Sequence, residues 1–289
     1  MQVMAGTDKT SFHYNIQIKD EEYVRLSSFI MTHFGIKLPP SKKTLLQCRL
    51  QKRLKALKLT SFAQYTDYIL SKEGGREEVA RMIEAVSTNK TDFYREPGHF
   101  DYLRETGIRD YLQESGKSRL SLWSAGCSSG EEPYTLAIEL SEYMNKRPGF
   151  DFHILATDIS NKVLETAIQG IYPNNKVSTI PPGLLRRYML RGKNQYADHV
   201  RILPELRTKI DFRIYNLLSA DYSLLGKFDI IFCRNVLIYF DREVQHRILK
   251  QFIQSLNTGG YLFLGHSESI TGHSLPLHQL KPTMFKKIR

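Results

Sequence analysis

Four short apolar-rich runs, at residues 120–125, 152–156, 210–214 and 229–232, punctuate the later part of the chain, and helical patterns separate them. Runs of this kind read as strands buried on both faces. The intervening patterns, at residues 132–144, 162–168 and, after the fourth run, 242–256, repeat apolar residues three and four apart, the spacing of a helix with one buried face. Strands alternating with helices require a parallel sheet covered on both sides, an α/β architecture. Gly259-Gly260 then opens a fifth strand at 261–265, and residues 283–288 read as a closing antiparallel strand. The rhythm fails between Ile171 and Leu206, where Pro173, Pro181, Pro182, Pro204 and Gly192 surround β-like pieces such as 199–203. This stretch reads as a small subdomain inserted between the second helix and the third strand.

Upstream, from about Asp20 to Val86, the pattern is helical throughout. Leu46, Leu50, Leu54 and Leu57 form one apolar stripe, and Arg49, Lys52, Arg53, Lys55 and Lys58 fill the other faces of the same predicted helix. Lys72-Glu73-Gly74-Gly75 breaks the pattern, and residues 77–86 resume it. Lys+Arg of 41 against Asp+Glu of 30 leaves a net charge of +11. Such a chain attracts polyanions, whether nucleic acid, an anionic membrane face or an acidic protein, and charge alone does not choose. The basic helix has the plainer reading of a solvated face. No apolar run approaches the ~20 residues that span a bilayer. The start, Met1 to Asp20, lacks the apolar core of a signal peptide. Cys48, Cys127 and Cys233 lie far apart with no C-x-x-C pair, which argues against a disulfide framework or a zinc site, predicts no metal, and suits a reducing cytoplasm.

The segment Leu122-Trp123-Ser124-Ala125-Gly126-Cys127-Ser128-Ser129-Gly130-Glu131-Glu132-Pro133-Tyr134 concentrates the chemistry. A buried strand runs into a loop of small residues and then into a helix start, the crevice where α/β sheets bind nucleotide-like ligands. A phosphate cradle would place a lysine after Gly130; two glutamates stand there instead. Carboxylates suit a ligand that is cationic and rich in hydroxyls, as S-adenosylmethionine is. Glu131 and Glu132 equally complement a helix dipole. Asp158 ends the second strand, where an acidic residue grips a ribose diol; a helix cap for the segment from Asn161 is the alternative, although Ser160 lies closer to that helix. Asn216 and Leu217 end the third strand within reach of an adenine edge, or Asn216 is a turn asparagine bonding its own backbone. Arg234 and Asn235 at the end of an apolar strand are costly unless paired, which marks them as site candidates. Tyr239 by itself reads as a core aromatic.

Five segments in order then resemble one family. They are Ser87-Thr88-Asn89-Lys90-Thr91-Asp92-Phe93-Tyr94-Arg95-Glu96, Gly130-Glu131-Glu132-Pro133-Tyr134, Ala156-Thr157-Asp158-Ile159, Cys233-Arg234-Asn235-Val236-Leu237-Ile238-Tyr239-Phe240-Asp241 and Gly265-His266-Ser267-Glu268-Ser269. Together, from about Asp20 to the end, they look like the chemotaxis receptor protein-glutamate O-methyltransferase family (CheR). The resemblance implies a Rossmann-like S-adenosylmethionine-dependent methyltransferase domain with a small all-helical N-terminal domain and an inserted β-subdomain. On this sequence that gives a helical, receptor-docking domain at 1–86, a linker contributing to the active site at 87–97, and the methyltransferase domain at 98–289 with its insert at about 172–208. It implies Asn89, Thr91, Arg95, Glu132, Asp158, Asn216, Leu217, Arg234 and Asn235 as cofactor contacts, with S-adenosylhomocysteine as product. Arg95 and Tyr239 resemble the methyl-transfer residues. Arg49, Lys52 and Arg53 would face the glutamate-rich helical bundle of a chemoreceptor.

The sequence departs from the pattern twice. Its glycine motif is Ala125-Gly126-Cys127-Ser128-Ser129-Gly130 rather than G-x-G-x-G, and Gly192-Lys193-Asn194-Gln195-Tyr196-Ala197-Asp198 lacks the glycine-flanked turn of members that dock on a receptor's C-terminal peptide. Two competing functions are a nucleic-acid methyltransferase and a cofactor-binding regulator without catalysis. The first lacks its N-P-P-[YF] tetrad and its Pro-Cys motif here, and intact Arg95 and Tyr239 weigh against the second. The expectation is a cytoplasmic monomer that binds neither nucleic acid nor membrane stably.

Overall fold

The computed structural model describes residues 16–71 and 75–288. The residues 1–15 that bear on a signal peptide, and Lys72, Glu73 and Gly74 of the predicted helix break, lie outside them. The chain divides into two compact units, one formed by the described residues of 1–32 and 38–86, the other by His33–Lys37 with 87–288.

The first unit is built of helices α1 (Asp20–Phe34, whose last two residues belong to the second unit), α2 (Lys43–Ala56), α3 (Phe62–Leu70) and α4 (Arg76–Val86). Each buries a stripe at helical spacing: Tyr23, Leu26 and Ile30 on α1, Leu46, Leu50 and Leu54 on α2, Phe62, Tyr65 and Ile69 on α3, and Met82, Ile83 and Val86 on α4. Two expectations for α2 need correction. Leu57 caps the helix instead of continuing the stripe, and Lys58 lies past its end at φ +57°. The Leu59 N–H returns to the Leu54 carbonyl at 2.9 Å, the closing bond of a left-handed helix cap, so the turn ends before either side chain joins a face.

Arg53 is not an open surface cation. Its Nε and Nη2 meet the two carboxylate oxygens of Glu78 at 3.0 and 2.6 Å, and the Tyr65 hydroxyl donates to the same carboxylate at 3.2 Å. The pair ties α2, α3 and α4 together; the Glu78 hydrogen bond raises the Arg53 pKa, while burial first and then the Glu78 charge raise that of Tyr65. Arg49 Nη1 reaches the Val86 carbonyl. Lys52 and Lys55 remain exposed.

The second unit holds a seven-stranded sheet. Its strands are β1 (Arg119–Ala125), β2 (Asp151–Asp158), β6 (Ile210–Ile214), β7 (Phe228–Cys233), β8 (Leu256–Leu264), β9 (Leu277–Lys281) and β10 (Met284–Lys287), in the order β6-β2-β1-β7-β8-β10-β9. The first five run parallel, while β10 pairs antiparallel with β8 and β9. Helices α5 (Gly98–Tyr102) and α6 (Ile108–Ser115) precede β1, and α7 (Glu131–Lys146), α8 (Asn161–Gln169) and α11 (Arg242–Ser255) follow β1, β2 and β7. The chain winds outward from β1 through β2 to β6, then returns to β7 on the other side, so the strand order reverses between β1 and β7.

The strand of residues 261–265 begins earlier than its glycines suggest. β8 starts at Leu256 and carries Gly259-Gly260 inside it, where its register against β7 shifts. A Cβ on Gly260 would stand 2.6 Å from the Asp229 carbonyl, so this irregular pairing needs glycine. β9 was not expected; Leu-His-Gln-Leu-Lys mixes polarity because an edge strand buries little of either face. Between α8 and β6 lie β3 (Ile171–Pro173), α9 (Pro182–Tyr188), β4 (Met189–Arg191), β5 (His199–Ile202) and α10 (Pro204–Arg207), with the strands forming a separate antiparallel sheet, β3-β5-β4. Tyr172 donates to the Ser129 carbonyl at 2.6 Å and Tyr188 to Glu142 at 2.6 Å, which fastens this sheet to the loop before α7 and to α7 itself.

Removing one partner of a largely buried, hydrogen-bonded ion pair costs about 3 kcal/mol or more. Arg53→Ala is therefore expected to destabilise α2–α4 by about that amount, while Lys52→Ala changes stability by less than about 0.5 kcal/mol. Hydrogen exchange of the α2 and α4 amides in the full chain measures both, and equal protection in the two variants would remove the Arg53–Glu78 pair from the helical unit's stability.

Candidate active site

The loops after β1, β2, β6, β7 and β8 meet at the carboxyl end of the sheet, where the strand order reverses. After β1 the chain turns at Gly126, φ +81°, where a Cβ would lie 2.4 Å from Val236 Cγ2. The Gly126 and Cys127 N–H groups bond the Thr157 carbonyl at 2.8 and 2.9 Å, which ties the turn to the end of β2. Asp158, the last residue of β2, accepts from the Ser128 N–H at 2.9 Å and the Ser160 N–H at 3.0 Å. Burial raises its pKa, and these backbone donors oppose the rise. Ser160 precedes α8 as its N-cap, and its own hydroxyl makes no capping bond. Both Asp158 oxygens thus take backbone N–H groups, and a carboxylate with about four lone-pair sites keeps acceptor capacity beyond them.

Glu131 and Glu132 open α7, and both are buried. Ser129 Oγ donates to Glu131 at 2.7 Å, and burial raises the Glu131 pKa. Glu132 accepts from Ser124 Oγ at 2.7 Å and from Arg234 Nε at 2.7 Å. The Arg234 side chain is 2% exposed. Its Nη1 donates to the Arg95 carbonyl at 2.6 Å, to His99 Nδ1 at 3.2 Å and toward Glu96 at 3.5 Å, and its guanidinium lies over the rings of Phe100 and Phe232. Arg234 is thus engaged with the protein through Nε and Nη1. Asn216 likewise realises the turn alternative: its Oδ1 accepts the Leu218 N–H at 2.9 Å and its Nδ2 donates to the His33 carbonyl at 3.0 Å. Leu217 is buried beside it.

The linker is held through its backbone carbonyls. Thr88 O accepts from Tyr239 at 3.5 Å, Asn89 O from Ser128 Oγ at 3.1 Å, Lys90 O from Arg95 at 2.9 Å, Thr91 O from Lys176 at 3.3 Å, and Phe93 O from Thr179 at 2.8 Å. Tyr94 and Glu96 adopt positive φ, +53° and +55°. Bulky residues rarely sit there without compensating bonds. The half-buried Asn89, Thr91 and Arg95 belong to this pinned segment, which joins the β1 loop through Ser128 and the β7 loop through Arg234 and Tyr239. Residues 33–37, expected in the helical domain, join this unit as well: Lys37 N–H bonds the Tyr239 carbonyl at 2.9 Å, and a Cβ on Gly35 would meet the Phe240 ring at 2.6 Å.

The donor set fits an adenosyl ligand. Asp158 offers paired acceptors to a diol, and two buried polar atoms beside the loops, Ser160 Oγ and Asn235 Oδ1, find no partner within the protein. Four groups were missed from the sequence: Ser124, Glu96, His99 and Glu268. Ser124 was detectable as a hydroxyl inside an apolar strand. Glu268 lay in a matched segment with no role given to it; its carboxylate accepts the N–H groups of Gly265, Asn235, Val236 and Leu237 at 2.6–3.0 Å. His99 gave no signal, because a histidine in a short helix is ordinary until its packing is known.

A doubly wound sheet with an acidic residue ending its second strand and glutamates opening its first helix defines the class: a nucleoside-binding α/β enzyme domain of the methyltransferase kind. Residues 89–285 match the CheR methyltransferase, SAM binding domain, and residues 21–87 match the CheR methyltransferase, all-alpha domain. The chain belongs to the CheR methyltransferase family and is an S-adenosylmethionine-dependent methyltransferase of chemotaxis. It is 38% identical over 287 residues to a chemotaxis protein methyltransferase of Borreliella burgdorferi, covering 98% of this chain and 99% of that one. Chemotaxis protein methyltransferase 2 of Pseudomonas aeruginosa is 39% identical over 95% of this chain and 94% of its own. The Escherichia coli chemotaxis protein methyltransferase is 38% identical over 89% of this chain and 87% of its own.

Because a guanidinium only donates, His99 Nδ1 accepts from Arg234, which leaves its Nε2–H for Thr283 Oγ1 at 3.0 Å. Burial, then the neighbouring Arg234 charge, push the His99 pKa down to about 4. An unfolded chain, with its histidine near 6.5, binds the proton more readily between these values. Stability contributed by neutral His99 is thus complete above pH ~6.5 and is lost as pH falls toward 4, by up to about 3 kcal/mol. Urea midpoints from pH 4 to 7 are expected to show this slope in the wild type and a shallower one in His99→Gln.

Proposed function

We propose that the protein transfers a methyl group from S-adenosylmethionine to glutamate side chains of chemoreceptors, forming glutamate methyl esters in chemotactic adaptation. The observation that carries the reading is Asp158, a buried carboxylate at the reversal of the sheet, facing the glycine turn with acceptor positions left over. In this reading Asp158 holds the ribose, Glu132 and Glu131 supply negative charge for the methionine part, and Leu217 lies against the adenine. Asn89, Thr91, Arg95 and Asn235 complete the contacts, and Arg234 acts from behind by holding Glu132 and the linker.

When bound, S-adenosylmethionine supplies an electrophilic methyl on a sulfonium. The accepting glutamate, with a reference pKa of ~4.3, is already an anionic nucleophile at neutral pH, so no strong general base is needed. The protein's work is alignment and exclusion of water. Arg95, on the pinned linker, holds the incoming carboxylate through its planar fork. Tyr239 orients the same oxygen.

Radiolabelled methyl transfer into receptor-bearing membranes, followed by release of the label in mild base, tests the reaction; label entering RNA or DNA, or base-stable label, would overturn it. In the same assay Asp158→Ala is expected to weaken S-adenosylmethionine binding by about 1.5–3 kcal/mol, the scale of hydrogen bonds to a charged group. Unchanged affinity by calorimetry in a folded variant would take the ribose away from Asp158.

The receptor-docking surface in this proposal is the basic helix α2, with Lys52 and Lys55 as its exposed cations and Arg49 at their side. Positive charge there steers and orients a glutamate-rich helical bundle. Arg53, engaged with Glu78, supports the helix from within. The enzyme acts as a cytoplasmic monomer in this reading; among the described residues no helix is long and apolar enough to cross a membrane. Lys52→Glu with Lys55→Glu is expected to raise the apparent KM for receptor several-fold and flatten its salt dependence, with cofactor affinity unchanged. An unaltered receptor KM at low salt would leave α2 a solvated face.

A further inference from the structure

Glu268 follows the last parallel strand, in Gly265-His266-Ser267-Glu268-Ser269, and is 7% exposed. Both carboxylate oxygens are occupied by backbone donors. One takes Gly265 N–H at 2.6 Å and Asn235 N–H at 3.0 Å; the other takes Val236 N–H at 2.8 Å and Leu237 N–H at 2.6 Å. Three of the four donors belong to the loop after β7. Asn235 there sits at φ +60°, and Val236 and Leu237 begin the single 3₁₀ turn Leu237–Tyr239. The first N–H groups of such a turn have no partner of their own. Glu268, from a segment remote in sequence, caps it.

The closeness of the two segments leaves little freedom. A Cβ on Gly265 would lie 2.7 Å from Asn235 N, and Val236 fills the space above Gly126. What the capped turn presents is Tyr239, whose carbonyl receives Lys37 N–H and whose hydroxyl reaches the Thr88 carbonyl of the linker. We infer that Glu268 is a positioning residue for methyl transfer: its carboxylate fixes the loop that carries Asn235 and Tyr239 and thereby sets where the Tyr239 hydroxyl stands. The inference rests on the reading of Tyr239 as a methyl-transfer residue. All four of its partners are donors, so an amide in place of the carboxylate turns one acceptor into a donor facing donors. A shorter carboxylate keeps the charge and withdraws it from the turn.

A double-mutant cycle separates positioning from plain stability. Glu268→Gln, Tyr239→Phe and the double variant are assayed for receptor methylation at a temperature well below each melting point, with S-adenosylhomocysteine affinity measured by calorimetry. Glu268→Gln is expected to lower kcat at least tenfold while the KM for receptor stays within about twofold. The double variant is expected to be no more than two- to threefold slower than the slower single variant. Glu268→Asp runs the same cycle if the amide variant does not fold. A wild-type kcat in folded Glu268 variants, or effects that multiply in the double variant, would overturn the inference alone. A wild-type kcat in Tyr239→Phe would remove Tyr239 from the chemistry and the inference with it.

Discussion

The buried Arg234 guanidinium is the interaction on which this site depends. A charge so fully removed from water is tolerable only when it is paired and its donors are used. Glu132 supplies the countercharge from the first turn of α7, the Arg95 carbonyl and His99 Nδ1 take the Nη1 donors, and Phe100 and Phe232 lie against its faces. One side chain thus joins the end of β7, the helix after the glycine turn, and the linker. After burial, it is also what keeps His99 neutral: a protonated imidazole would face the guanidinium at 3.2 Å.

The second organising constraint is the way the linker is gripped. Side chains from several elements bond its carbonyls, and two of its residues hold left-handed backbone. Backbone anchoring leaves the side chains of Asn89 and Thr91 out of the bonds that fix the segment, while Arg95 gives one Nη1 donor to the Lys90 carbonyl. Strain in Tyr94 and Glu96 persists because the surrounding bonds over-determine the conformation.

The strand–loop–helix motif around Gly126, the parallel sheet, the inserted antiparallel piece and Asp158 at the end of β2 could all be read along the chain, because each is a local pattern of polarity and small residues. The readings that needed revision share a different origin. Arg53 looked like its basic neighbours until Glu78, 25 positions away, came into contact with it. Arg234 and Asn235 were recognised as costly unless paired, and only the fold shows that Glu132, the Arg95 carbonyl and His99 answer Arg234. Gly259-Gly260 read as the opening of a strand instead of its interior because nothing local reveals that Asp229 O approaches too closely for a Cβ.

By itself the sequence determined the architecture in outline: hydrophobic period marks the five parallel strands and the helices between them, and five ordered motifs fix the family. Tertiary structure decided what each polar residue faces. Glu268, His99 and Glu96 acquire their roles from partners that the fold brings together, as in the 184 positions that separate His99 from Thr283. A buried charge or hydrogen bond depends on distances of about 3 Å in space, and no pattern of neighbours along a chain encodes which distant atom will stand there.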